Sequence, residues 1–137
     1  MYLIFDTETT GLPRDYNAPI SDTSNWPRVV QLAWQLHESD GTLVEQKDFL
    51  IRPDGFNIPF QSEQIHGIST ELASLAGEDL GDVLFLFKKA LEKADFIVGH
   101  NVRFDVNVMG CEYFRMAEET PLTLPILDTC TERTAEL

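Results

Sequence analysis

The chain begins with Met1-Tyr2-Leu3-Ile4-Phe5-Asp6-Thr7-Glu8, an apolar run that ends in two carboxylates. A short run of large apolar and aromatic residues predicts a buried β-strand. Side chains two positions apart share a face of a strand, so Asp6 and Glu8 would project together from its end, about 7 Å apart. Oxygen ligands without a neighbouring Cys or His favour Mg²⁺ or Mn²⁺. The pair is therefore a candidate metal site.

An isolated pair of acids also has a simpler explanation, because hydrated carboxylates are common where strands end in solvent. The next residues, Thr9-Thr10-Gly11, favour the metal site instead. They supply two hydroxyls and a glycine turn, which lets the backbone come close to a bound phosphate.

The composition predicts one acidic domain. The 137 residues carry 10 Lys and Arg against 23 Asp and Glu, a net charge of −13, which opposes a broad nucleic-acid-binding surface but not a small metal-loaded site. No apolar run approaches the roughly 20 residues that span a bilayer. The N-terminus lacks the basic region of a signal peptide. With only two cysteines and no export signal, a cytoplasmic location is expected.

The hydrophobic pattern predicts a mixed α/β sheet. Residues 12–27 are rich in turn formers and predict a surface loop. Around the Asp40-Gly41 turn, residues 28–37 and 42–51 predict a hairpin that completes an antiparallel meander with the first strand. The later elements are a helix over Asp79–Lys93, a strand over Phe96–Val98, a helix capped by Asn101, a strand over Ile126–Leu127 and a helical segment from Thr129 onward. This order predicts parallel strands beside the meander, with helices on both faces.

A third acid, Asp105, lies one turn into the helix that follows the Phe96–Val98 strand. Ligands gather at the carboxyl ends of strands in open α/β sheets. If that strand neighbours the first one, Asp105 faces the same spot as Asp6 and Glu8. The alternative is an acid near a helix N-terminus that is stabilised by the helix dipole.

Four segments occur in the order that a known family uses: Phe5–Gly11, Ile65–Ile68, Val98–Asp105 and Ile126–Thr129. They resemble the first motif of the DEDD-type 3′→5′ exonucleases, the His-Gly-Ile element, the second motif and the junction before the final motif. Within that superfamily the chain is most similar to the DEDDh subgroup, which includes the proofreading epsilon subunits of bacterial DNA polymerase III. The resemblance implies a ribonuclease-H-like fold.

The resemblance also implies a role for each matching residue. The catalytic metal ligands would be Asp6, Glu8 and Asp105, holding two Mg²⁺ or Mn²⁺ ions in the complete site. The residues that contact or order a single-stranded 3′ end of DNA or RNA would be Thr9, His66, Asn101 and Phe104. A turn histidine is the alternative for His66, and a core aromatic is the alternative for Phe104.

The final motif of the family, a His followed five residues later by an Asp, has no counterpart in Thr129–Leu137. In the family this His deprotonates the attacking water and this Asp completes the first metal site. We therefore expect residues 1–137 to be a single exonuclease domain without its C-terminal helix or helices, taken from a longer reading frame. We also expect the chain to be inactive or nearly so, since a general base contributes roughly 10²- to 10⁴-fold in rate.

The predicted function is metal-dependent hydrolysis at nucleic-acid 3′ ends, in proofreading or in end trimming. A polymerase or another replication protein is an expected partner, and no membrane is expected. The alternative is a non-catalytic module that binds a polymerase or nucleic acid. The three acids Asp6, Glu8 and Asp105 disfavour the module, because mutually repelling carboxylates without a metal would only destabilise it.

Overall fold

The computed structural model describes residues 1–129. The strands are β1 (Tyr2–Thr9), β2 (Val29–His37), β3 (Leu43–Leu50), β4 (Phe96–Gly99) and β5 (Ile126–Asp128). The helices are α1 (Phe60–His66), α2 (Thr70–Ala76), α3 (Leu80–Lys93) and α4 (Arg103–Arg115). The helical segment expected after Thr129 lies outside these residues. No helix within residues 1–129 is long and apolar enough to cross a membrane.

All five strands join one mixed sheet in the order β3-β2-β1-β4-β5. The pairs β1–β2 and β2–β3 are antiparallel, whereas β1–β4 and β4–β5 are parallel. The predicted meander and the predicted parallel strands are both confirmed. β4 lies directly beside β1, which is the condition that brings Asp105 towards the first strand.

The main core lies between one face of the sheet and the helices α3 and α4. Phe87 of α3 contacts Phe5 of β1 and Trp34 of β2, with ring centroids 5.1 and 5.3 Å away. α3 begins as expected, because the Asp79 side chain accepts a hydrogen bond from the Asp82 N–H at 3.1 Å. Other members of this core are Leu3, Leu32, Leu36, Ile97 and Val108.

The opposite face of the sheet carries a smaller core at one end. Phe49 packs on the main core, and Leu50, which points to the other face of β3, packs on Val30, Ile58, Ile68 and Ala73. This second core holds α1 and α2, so helices cover both faces as predicted. Neither short helix was predicted from the sequence. Seven residues give too few turns for an apolar period to be visible.

The prediction that Asn101 caps α4 is wrong. The N-cap is Val102, which has no capping side chain, and Asn101 lies one residue earlier with a left-handed φ of 55°. The N–H groups of both residues are bonded instead by the carboxylate of Asp128. A partner from a neighbouring strand has therefore replaced the local cap.

A buried carboxylate ties α4 to the start of β2. Glu112 is fully buried, and its Oε1 accepts hydrogen bonds from Arg28 Nε at 2.9 Å and Arg115 Nη1 at 2.7 Å. Its Oε2 accepts from the Val29 N–H at 3.2 Å. Arg115 also donates to the carbonyl of Trp26 at 2.7 Å, so the network anchors the end of the 12–27 loop. A charge buried this deeply needs such partners.

Replacing Glu112 with Ala should lower the free energy of unfolding by about 3–5 kcal/mol, because two arginines would lose their shared partner away from water. The matched control is Glu92→Ala, which removes an exposed carboxylate 3.7 Å from Lys89 and should cost about 0–1 kcal/mol. Urea unfolding of the two variants measures both quantities. Equal losses would contradict a structural role for the buried network.

Candidate active site

The site lies where the sheet divides beside β1. β4 pairs with β1 only from Tyr2 to Ile4, whereas β2 pairs with it as far as Thr9. Beyond Ile4 the β4 side of β1 therefore faces the beginning of α4 instead of a strand. This is the kind of switch point at which α/β sheets bind ligands.

Asp6 and Glu8 lie in the C-terminal half of β1, which extends to Thr9. They share one face of the strand, where Asp6 is exposed and Glu8 is half-buried. Thr7 points to the opposite face and is buried. The two acids therefore lie on the part of β1 that pairs with β2 alone.

Asp105, in the first turn of α4, is buried with 8% of its surface exposed. Its Oδ1 accepts a hydrogen bond from Thr7 Oγ1 at 2.5 Å, which joins the helix to β1. The pKa of Asp105 is raised to about 6, mainly by burial and also by the charge of Asp6, while the hydrogen bond from Thr7 partly opposes the rise. The structure thus brings Asp105 and Asp6 close enough for their charges to interact.

These acids fit a divalent cation by the chemistry of their donors. All three candidates offer carboxylate oxygens, the ligands that Mg²⁺ and Mn²⁺ prefer. A cation beside Asp6 and Asp105 would offset the burial and repulsion that raise the pKa of Asp105. Within residues 1–129, however, no three acidic, imidazole or thiol side chains converge into a preformed metal site. The described residues thus supply suitable ligands without a closed coordination shell.

The turn that follows β1 is fixed by hydrogen bonds from three directions. Thr9 Oγ1 donates to the Gly11 carbonyl at 2.8 Å, and the Thr10 N–H donates to the Arg28 carbonyl at 2.9 Å. Ser62 of α1 donates its hydroxyl to the Thr10 carbonyl at 2.6 Å. The hydroxyl of Thr9 is therefore used inside the turn.

His66 lies one helical turn after Ser62, on the side of α1 that approaches the same turn. Its Nδ1 accepts a hydrogen bond from the Ile68 N–H at 3.1 Å, so the neutral ring carries its proton on Nε2. Nε2 is buried and has no hydrogen-bond partner among residues 1–129. The residue is thus a turn histidine, as the alternative held, that also retains an unused donor.

Phe104 and Asn101 flank Asp105 along the chain. Phe104 is half-buried against the main core, and its ring lies 6.3 Å from that of Tyr16, which is 54% exposed. The side chain of Asn101 is exposed. Phe104 therefore packs partly against the main core and partly against Tyr16 of the 12–27 loop.

Sequence reasoning missed three residues that shape this site. Thr7 was visible as the residue between two acids, but its partner Asp105 is distant in sequence and no local signal names it. Asp128 was noticed only as part of a motif. Tyr16 lies in the loop over residues 12–27, where no periodicity indicates which aromatic residue approaches Phe104.

The raised pKa of Asp105 gives the metal-free protein a specific pH dependence. The folded pKa, about 6, exceeds the ordinary value of 3.8, so folding favours the protonated acid. The contribution of the protonated Asp105 to the free energy of unfolding is complete below about pH 4, and it is lost as the pH rises through about 6. The free energy of unfolding should fall by about 2–3 kcal/mol over this range. Asp105→Asn should lack that loss. Urea unfolding of both proteins at several pH values tests this, and parallel profiles would contradict it.

Comparison with known proteins agrees with this geometry. Residues 3–132 match the model of the Exonuclease (RNase_T) family. The PolC-type DNA polymerase III of Pediococcus pentosaceus is 32% identical over 130 residues, which are 95% of this chain and 8% of that protein. The corresponding protein of Lactococcus lactis subsp. lactis is 30% identical over 129 residues, 93% of this chain and 7% of that protein. The chain therefore spans less than a tenth of these relatives.

Among solved structures, E. coli Exonuclease I in complex with a dT13 oligonucleotide superposes with a TM-score of 0.78. It is 23% identical, and the match covers 98% of this chain and 29% of that chain. The mixed five-stranded sheet is thus the ribonuclease-H-like fold of these exonucleases. Since the family model matches almost the whole sequence, the chain belongs to the Exonuclease (RNase_T) family, in agreement with its resemblance to the DEDD-type 3′→5′ exonucleases.

Proposed function

We propose that this chain provides the metal-binding half of a nuclease site that removes nucleotides from single-stranded 3′ ends. The observation that carries the proposal is the buried Asp105, which Thr7 holds beside the strand of Asp6 and Glu8. Its charge interacts with that of Asp6, so a cation shared by the two would be favoured. An acid placed only by the helix dipole would need neither contact.

The three acids Asp6, Glu8 and Asp105 would hold Mg²⁺ or Mn²⁺, and the Asp of the final motif would complete the first metal site. When bound, such ions stabilise the attacking and leaving oxygens of an in-line displacement at phosphorus. The chain itself positions the three carboxylates. β1 fixes Asp6 and Glu8 on one strand, and the hydrogen bond from the Thr7 hydroxyl holds Oδ1 of Asp105 against that strand.

The terminal nucleotide would lie between the turn after β1 and the first turn of α4. Because the Thr9 hydroxyl is occupied, the main chain of the turn and Gly11 would approach the nucleotide. His66, which lies near this turn, would contact the sugar or base. Phe104, together with the exposed Tyr16, would offer an aromatic surface, and every base has a π-face that can stack on one. Asn101 would help to order this end of the site.

The net charge of −13 favours short substrates, or an end delivered by a partner. The PolC-type relatives are DNA polymerases by name, which supports proofreading of DNA with a polymerase as partner. Trimming of RNA is the second enzymatic possibility. A cytoplasmic location remains a prediction.

The proposal predicts that residues 1–137 alone are inactive or nearly so, because Thr129–Leu137 contain neither His nor Asp. Adding a segment with His and, five residues later, Asp should raise metal-dependent nucleotide release from a single-stranded 3′ end by roughly 10²- to 10⁴-fold. Release is measured with a 3′-labelled oligonucleotide and Mn²⁺. Asp6→Asn in the extended protein should abolish the gain.

Equal rates with and without the added segment would refute the expected inactivity. If Asp6→Asn leaves the binding of Mn²⁺ and oligonucleotide unchanged, the non-catalytic module is the better description. These two results are separate, since the first concerns the general base and the second concerns the acids.

Gly11→Ala separates substrate contact from folding. A methyl group at this position would meet nothing within 4 Å, and φ is not left-handed, so the fold should tolerate it. If a nucleotide packs against the turn, the methyl group should weaken binding by about 1–3 kcal/mol. Fluorescence anisotropy of a single-stranded oligonucleotide in Ca²⁺ measures affinity, and thermal unfolding is the control. Unchanged affinity would place the nucleotide elsewhere.

A further inference from the structure

The chain makes a tight corner between β4 and α4. Gly99 ends β4, and a Cβ at this position would lie 2.6 Å from Cβ of the buried Val102, so the turn has no room for a side chain there. Asn101 follows with φ at 55°, a conformation that costs energy for any residue except glycine. The corner is therefore strained as well as crowded.

Asp128, the last residue of β5, holds this corner from the neighbouring strand. Its Oδ1 accepts a hydrogen bond from the Asn101 N–H at 2.9 Å, and its Oδ2 accepts from the Val102 N–H at 3.1 Å. The carboxylate is buried, and its backbone is in register with Gly99. Next to it, Thr129 donates its hydroxyl to the Gly99 carbonyl at 3.2 Å. Both hydrogen bonds to Asp128 are charge-assisted, and they hold the main chain of the corner at Asn101 and Val102.

The position of Asp105 depends on the same corner. α4 has no side-chain cap of its own, so the two bonds from Asp128 fix where its first turn begins. Asp105 comes three residues after Val102, and its Oδ1 meets Thr7 only if that turn begins in this place. A shift of the corner would move the carboxylate away from β1.

We propose that Asp128 is a positioning residue for the metal ligand Asp105. Its carboxylate keeps Asn101 in the left-handed conformation, and the resulting corner directs the first turn of α4 against β1. The inference rests on the proposed function in one respect, because it takes Asp105 to be a metal ligand. Asp128 accepts hydrogen bonds from these two main-chain N–H groups with both of its carboxylate oxygens.

Mn²⁺ affinity of the full chain, measured from the EPR signal of unbound Mn²⁺, tests the proposal without relying on catalysis. Asp128→Ala should weaken binding by roughly tenfold, as is typical when a group that orients a metal ligand is lost. The matched control is Asp79→Ala, which removes a carboxylate that caps α3 away from the site. This control should change the Mn²⁺ affinity less than twofold, because mutations at distant, independent sites affect each other's free energies only by a few tenths of a kcal/mol.

Rescue by glycine distinguishes geometry from charge. Glycine adopts a left-handed φ without cost, so Asn101→Gly should keep the corner in place when Asp128 is absent. The double variant Asn101→Gly/Asp128→Ala should therefore recover at least half of the lost Mn²⁺ affinity on a logarithmic scale, relative to Asn101→Gly alone. Far-UV circular dichroism confirms that each variant is folded, and Asp128→Asn, which keeps one acceptor, replaces any alanine variant that is not.

Unchanged Mn²⁺ affinity in Asp128→Ala, or a loss that glycine does not rescue in a folded protein, would overturn the proposal. In the second case Asp128 would act through its charge. Failure of the proposed function has a different signature: the wild type would bind Mn²⁺ no better than Asp6→Asn. In that case, hydrogen exchange at the amides from Val102 to Asp105 tests whether Asp128 holds the corner. Faster exchange in Asp128→Ala would support this role, and unchanged exchange would refute it.

Discussion

The site depends on the unequal lengths of two neighbouring strands. β4 leaves β1 after Ile4, whereas β2 accompanies β1 to Thr9. The space beside the second half of β1 is filled by the first turn of α4, and the Thr7–Asp105 hydrogen bond joins them across it. If β4 continued for four more residues, strand pairing would replace this contact and Asp105 would have no route to Asp6. The proposed metal ligands thus approach one another because a parallel strand stops early.

The sequence predicted the parts of this arrangement that follow from local pattern. Alternation in β2 and the helical spacing in α3 identified those elements, because each buries one continuous face against the main core. The three acids could also be identified, because the segments that contain them resemble two motifs of a known family. Their mutual placement was expected only on the condition that the Phe96–Val98 strand neighbours the first one. Pairing between distant strands has no local signal.

The rest was decided by contacts that the sequence does not display. Asn101 is a good N-cap by residue type, yet Asp128 takes the N–H groups and Asn101 turns left-handed. α1 and α2 are too short to show a period, and the small core around Val30 and Ile58 is what holds them. His66 could be a substrate contact or a turn histidine by sequence, and the structure shows the local hydrogen bond from the Ile68 N–H to its Nδ1. For Asn101 and the two short helices, tertiary contacts outweighed local preference.

The energetics of Asp105 also bear on why the chain keeps such a site. A buried carboxylate whose pKa is about 6 lowers the stability of the metal-free fold at neutral pH, because ionisation occurs against desolvation and against Asp6. Asparagine would accept the Thr7 hydrogen bond without that cost, and a purely structural module would gain by the exchange. Cation binding reverses the balance, since a bound ion stabilises only the folded arrangement. Under the proposed function, the loss of stability in the empty site would be the consequence of an affinity for metal, which an exonuclease would require and a binding module would not.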